Sequence, residues 1–129
     1  MKKTILIVDD NQMFTEFLAD YLEIDYQTEV RYDAETALAE MDQINPDLVL
    51  VDHNMSGSLT GIDFLRNLKI SGFLCTIPTI LVTGQVDSEL RINALAQGAD
   101  DVICKPFNPK ELLLRVKKAM HEKTISIAS

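Results

Sequence analysis

Pro46-Asp47-Leu48-Val49-Leu50-Val51-Asp52 is a four-residue apolar run with an aspartate on each side. A run this short with no polar residue at alternate positions reads as a strand covered on both faces. Outward from it, residues 5–8, 80–82 and 102–104 have the same form, and residues 28–32 are a weaker β-prone stretch. The segments between them carry helical spacing. Met13, Phe14, Phe17, Leu18, Tyr21 and Leu22 fall at i, i+3, i+4, as do Ala34, Ala37, Leu38 and Met41. Ile62, Leu65 and Leu68 continue the series, then Leu90, Ala94 and Leu95, then Leu112, Leu113, Val116 and Met120. Asn108 before Pro109 reads as an N-cap ahead of a first-turn proline, and Gly98 after Gln97 as a helix stop. Strand and helix alternate five times. This predicts one doubly wound α/β domain on a parallel five-stranded sheet.

Composition agrees. The chain has 129 residues, 47% apolar and 25% charged, which is one globular domain able to hide about two-thirds of its unfolded surface. A formal charge of −8 argues against a non-specific nucleic-acid binder, which needs surplus Lys and Arg. The charge is uneven: −10 over residues 1–60, −2 over 61–104 and +4 over 105–123. No apolar run reaches the ~18 residues of a membrane span. Met1-Lys2-Lys3 is followed by only four apolar residues before Asp9-Asp10, too few for a signal peptide. A cytoplasmic protein without a membrane partner is expected. Cys75 and Cys104 are expected to be reduced thiols serving as small core hydrophobes.

Functional groups in such a sheet gather beyond the C-terminal strand ends. Those ends are Asp9-Asp10, Asp52, Thr83-Gly84 and Lys105-Pro106. Three carboxylates within ~5 Å repel by roughly 3 kcal/mol per pair at an effective dielectric near 20, so the cluster calls for a cation. An all-oxygen set suits Mg²⁺. Apart from His53 and Cys104 the strand ends lack the ligands of a zinc site. The first strand-to-helix turn, Asp9-Asp10-Asn11-Gln12, has no glycine to wrap a dinucleotide, and no Walker A motif is present. Phosphoryl transfer remains. It needs a metal, a positive side chain, a hydrogen-bond donor and an in-line nucleophile. Asp9 and Asp10 are the candidate metal holders, Lys105 the cation, Thr83 the donor and Asp52 the nucleophile.

Five pieces carry a family resemblance: Ile5-Leu6-Ile7-Val8-Asp9-Asp10-Asn11, Pro46 to Asp52 with Met55, Pro78-Thr79-Ile80-Leu81-Val82-Thr83-Gly84, Gly98-Ala99-Asp100-Asp101, and Lys105-Pro106-Phe107. In this order and spacing the chain resembles the receiver domain of bacterial two-component response regulators over residues 3–122. Residues 1–123 are then the receiver domain, and 124–129 a tail or the start of a linker. The resemblance implies a flavodoxin-like (CheY-like) fold with strand order 2-1-3-4-5. It implies phosphoryl transfer from a sensor histidine kinase or phosphotransfer protein to Asp52. It further implies Mg²⁺ held by Asp10, Asp52 and the backbone carbonyl of Asn54, and through water by Asp9. A cis Lys105-Pro106 bond is also implied. Thr83 and Lys105 would turn toward the phosphoryl group and shift the face made by the fourth helix, fifth strand and fifth helix. Such a domain catalyses only its own phosphorylation and dephosphorylation, and does not itself bind nucleic acid. Residues 98–118 are most similar to the receivers of winged-helix transcription regulators. On that similarity Arg91, Asp100, Asp101, Glu111 and Arg115 are placed for charged pairing across a homodimer.

Departures from the family pattern stand beside the matches. Val102 occupies the position, three before Lys105, where the family usually has an aromatic residue. Ser56 follows Met55 where proline is usual, and Gly61 lies nine rather than eight residues past Asp52. With Gly57 and Ser58, this predicts a looser loop after Asp52. Alternation points His53 away from Asp52, and His121 is expected to be exposed. Asn54 and Gln85 lie where the family tunes the lifetime of the phosphoryl group. Two other readings are weighed. A phosphatase or phosphotransferase of the haloacid-dehalogenase type shares the Asp, Mg²⁺, Thr and Lys, but places its nucleophile first in the chain, with a second aspartate two residues on. A phosphorylation-independent binding module would not need all five residues.

Overall fold

The computed structural model describes residues 1–84 and 87–122; Gln85 and the segment 124–129 lie outside the described residues. Strands β1 (Thr4–Val8), β2 (Gln27–Arg31), β3 (Leu48–Asp52), β4 (Thr79–Thr83) and β5 (Asp101–Cys104) alternate with helices α1 (Gln12–Leu22), α2 (Ala34–Ile44), α3 (Gly61–Ile70), α4 (Ser88–Ala96) and α5 (Pro109–Ala119). The strands pair in parallel in the order β2-β1-β3-β4-β5, with Ile7 opposite Leu50 and Leu50 opposite Ile80. The sequence-derived strand order is the observed one. β2 begins one residue earlier than the β-prone stretch, so Tyr32 lies outside it and is exposed.

All five residues of β3 are buried, because this strand has a neighbour on each side and helices over both faces. Alternation along the strands splits the core. Leu48 and Leu50 join Ile5, Ile7, Ile80, Val82 and Ile103 under α1 and α5. Val49 and Val51 join Leu6, Val8, Leu81 and Val102 under α2, α3 and α4. Each fully buried side chain of this kind contributes about 1.5–3 kcal/mol, so a charge at Leu50 would break the sheet's centre.

Side-chain caps start the helices and fix the loops at the C-terminal strand ends. Asn11 accepts from the Phe14 amide at 3.0 Å, Asp33 from Thr36 at 2.6 Å and Asn108 from Lys110 at 2.9 Å. Thr60 and Asp63 form a reciprocal capping box on α3. Gly98, at φ +108, terminates α4 as expected.

Two expectations fail. Cys75 is exposed in the short 3-10 turn Phe73–Thr76, and Cys104 is only half-buried at the tip of edge strand β5. Neither sits where helices cover the sheet, so neither is a core hydrophobe. Met13 and Phe17 also leave the core, at 83% and 54% exposure, while Leu18 and Leu22 carry the burial of α1. No helix among the described residues is long and apolar enough to cross a membrane.

Candidate functional site

Asp9, Asp10 and Asp52 each place a carboxylate oxygen within 4.8 Å of the others at the C-terminal ends of β1 and β3. Adjacent parallel strands in register bring them together, with Val8 opposite Val51 one residue before the site. Asp9 is buried at 2% exposure; its Oδ1 accepts from the Asn11 amide at 2.9 Å. Asp10 is exposed, and its Oδ2 accepts from the Ser56 amide at 2.7 Å, which holds this carboxyl below its ordinary range. Asp52, at 6% exposure, is pushed up to about 6, first by burial and next by the negative charge of Asp9, against the pull of Lys105.

Lys105 comes from the other side of the pocket. Its amide donates to the Thr83 carbonyl at 2.7 Å, and its bond to Pro106 is cis, as the family resemblance implies. The ammonium lies 3.0 Å from Asp9 Oδ2, 3.6 Å from Asp52 Oδ1 and 4.2 Å from the centre of the Phe14 ring. Phe107 meets Phe14 edge-on at 5.9 Å. The Phe14 ring adds a cation–π attraction to the ammonium. Thr83, at 2% exposure, ends β4 on the same rim. A cleft of about 430 Å³, lined by Phe14, Phe17, Lys105, Pro106 and Phe107, opens beside the ammonium. The hard, all-oxygen donor set fits a divalent cation such as Mg²⁺.

The loop after β3 is tied down, contrary to the looseness its glycine content predicts. Ser56 donates to Asp10, and Ser58 donates to Glu35 Oε2 from both its amide (3.3 Å) and its hydroxyl (2.8 Å). Gly57, at φ +113, makes the turn between these anchors. Asn54 is exposed at the loop's start. A Cβ on Gly61 would stand 2.6 Å from the Asp52 carbonyl oxygen and 2.8 Å from His53 Cα, so α3 can begin against β3 only on a glycine. His53 directly follows the last residue of β3. Its Nδ1 is buried without a hydrogen-bond partner, and burial holds the imidazole below its ordinary range against the pull of Asp63.

Val102 is buried in the core under α4, and its carbonyl accepts from Arg91 at 3.2 Å. The charged residues assigned to a dimer face have partners inside the chain. Arg115 Nη1 reaches both oxygens of Asp101 at 2.9 Å, Arg115 Nε lies 3.6 Å from Glu111, and Asp100 accepts from the Thr79 amide at 2.9 Å. His121 is exposed just past α5, as expected.

Sequence reasoning did not find three supports of the pocket: the Phe14 and Phe107 rings around Lys105, the Ser56 amide on Asp10, and Glu35 on Ser58. The two phenylalanines had a signal, since one follows Lys105-Pro106 and the other opens the apolar stripe of α1. The Glu35 contact spans 23 residues and has none.

Proteins similar to this chain fall in one family. The model of the response regulator receiver domain matches residues 5–117. The phosphate regulon transcriptional regulatory protein PhoB of Escherichia coli (strain K12) is 36% identical over 121 residues, covering 93% of this chain and 52% of that protein. The DNA-binding response regulator MtrA of Mycolicibacterium paratuberculosis is 37% identical over 118 residues, covering 91% of this chain and 51% of its own. The chain thus spans about half the length of the curated relatives it matches. Among solved structures, a CheY-like response regulator receiver domain protein from Methanospirillum hungatei JF-1 superposes with a TM-score of 0.83 at 30% identity, covering 94% of this chain and 95% of that one. The chain belongs to the response-regulator receiver-domain family of two-component signalling.

Proposed function

We propose that this domain is a phosphoacceptor switch that takes a phosphoryl group onto Asp52 from the phosphohistidine of a sensor kinase or phosphotransfer protein. The observation that carries the reading is the buried Asp52 carboxyl, 3.6 Å from the Lys105 ammonium and clustered with Asp9 and Asp10. An Asp52 oxygen attacks phosphorus, the N–P bond breaks, and its electron pair returns to the imidazole nitrogen. Mg²⁺, when bound, supplies charge neutralisation for the phosphoryl oxygens. Asp10, Asp52 and the Asn54 carbonyl would hold it directly. Asp9 would act through water, a role supported by the engagement of its two oxygens with Asn11 and Lys105.

Lys105 and the Thr83 hydroxyl then meet the new phosphoryl oxygens. The ammonium leaves Asp9, and the Lys105–Thr83 backbone link carries the change into β4 and β5. The α4–β5–α5 face is the output, with Arg91 on the Val102 carbonyl as the movable contact in place of an aromatic relay. A homodimer would form there by exchanging the Arg115–Asp101 pair between copies. The apolar cleft at Phe14, Phe17 and Phe107 suits the docking of an apolar donor helix beside Lys105. Residues 1–123 make up the switch, with 124–129 as tail or linker, acting in the cytoplasm on an output domain or separate partner. The domain turns over no substrate other than its own aspartyl phosphate.

Beryllofluoride with Mg²⁺ tests the reading. Amide shifts centred on Asp52, Thr83 and Lys105, spreading into α4 and β5, are expected. An unchanged spectrum contradicts it.

A further inference from the structure

Ser56 stands where the receiver family usually has proline, and proline has no N–H. The 2.7 Å bond from the Ser56 amide to Asp10 Oδ2 is therefore one that the usual residue cannot make. We propose that Ser56, through its backbone N–H, is a positioning residue for the cation site, tying the Asp10 carboxylate of β1 to the loop that carries Asn54 from β3. The inference rests on the receiver reading of the pocket given above.

The geometry favours positioning over competition for Asp10. An ionised carboxylate offers about four lone-pair sites on two oxygens, so a bond at Oδ2 leaves Oδ1 for a cation. The donor sits only two residues past Asn54, so one hydrogen bond sets the spacing of two ligands that come from different strands. The loop is also held beyond Ser56, by Ser58 on Glu35 and by the Gly61 amide on the His53 carbonyl at 3.1 Å, so Ser56 presents its N–H from a fixed base. Asp10 is otherwise an exposed side chain whose rotamers binding would have to freeze.

The test compares Mg²⁺ titrations of wild type, Ser56→Ala and Ser56→Pro by backbone amide shifts, together with hydrogen exchange at the Ser56 amide. Ser56→Ala keeps the N–H and is expected to bind Mg²⁺ within about twofold of wild type. Ser56→Pro removes it and is expected to bind about three- to tenfold more weakly, the scale of one freed side chain. In wild type, which needs no variant to fold, the Ser56 amide should become better protected as Mg²⁺ saturates the pocket. Ser56→Pro binding as tightly as Ser56→Ala overturns the proposal. So does a wild-type Ser56 amide that loses protection on Mg²⁺ addition, which would make the bond a competitor. A wild type in which Mg²⁺ shifts no amide around Asp9, Asp10 and Asp52 overturns the receiver reading and this inference with it.

Discussion

Lys105 holds its ammonium 3.0 Å from Asp9 Oδ2, where that carboxylate is 2% exposed, and the same cation lies 3.6 Å from Asp52. Without a metal, this is the charge that offsets the repulsion of the acidic pocket. Lys105→Met is expected to destabilise the metal-free protein at pH 7 by on the order of 2–4 kcal/mol, because buried carboxylates lose their partner. Mg²⁺ should restore much of the loss by occupying the same field. Thermal melts with EDTA and with Mg²⁺ check this; equal melting temperatures for mutant and wild type in EDTA would contradict it.

Asp52 contributes a pH dependence of opposite sign to the usual carboxylate. Its pKa is raised from 3.8 to about 6, so between those values the folded state holds more of this proton than the unfolded chain. The contribution is favourable at low pH and is lost as pH rises through about 6. Asp52→Asn should therefore stabilise the metal-free protein at pH 7 by about 1–3 kcal/mol, with the gain shrinking below pH 6. Denaturant melts of both proteins from pH 4 to 8 measure it. A gain independent of pH would contradict burial as the cause.

Gly61→Ala brings a methyl to 2.6 Å from the Asp52 carbonyl oxygen and 2.7 Å from Leu81 Cδ1. Both neighbours belong to the central sheet, so α3 has to move. A cost of about 1–3 kcal/mol is expected, together with slower modification of Asp52. Unchanged stability would mean that α3 shifts freely on β3.

The fold was legible because four of the five strands are short apolar runs and each helix is an amphipathic stripe with its own cap; β2, Gln27–Arg31, showed only as a weaker β-prone stretch. Leu48 to Val51 carry the whole argument for a covered parallel sheet. The site was legible for a related reason: Asp52 and Thr83 close their strands and Asp9, Asp10 and Lys105 lie just past theirs, so knowing the strands placed them. What escaped was long-range. The Ser56 amide on Asp10 spans 46 residues and involves backbone that composition does not describe. The loop's glycines pointed toward mobility, whereas Glu35, in the first turn of α2, restrains it. The exposure of Cys75 and Cys104 is not legible because a 3-10 turn and an edge-strand tip look the same as core in an apolar window.

Arg115 pairs with Asp101 inside one chain, at 34% and 23% side-chain exposure. Arg115→Ala should cost the isolated domain under ~1 kcal/mol, yet abolish a dimer formed on activation. Sedimentation of the beryllofluoride-activated proteins separates the two effects. A wild type that stays monomeric when activated would contradict the α4–β5–α5 pairing.

The most direct test is the intact mass of the protein after incubation with acetyl phosphate and Mg²⁺, for wild type and Asp52→Asn. The proposed switch predicts one phosphoryl group on wild type, none on Asp52→Asn, and none on wild type in EDTA. A wild type that stays unmodified, or an Asp52→Asn protein modified to the same extent, would contradict Asp52 as the acceptor.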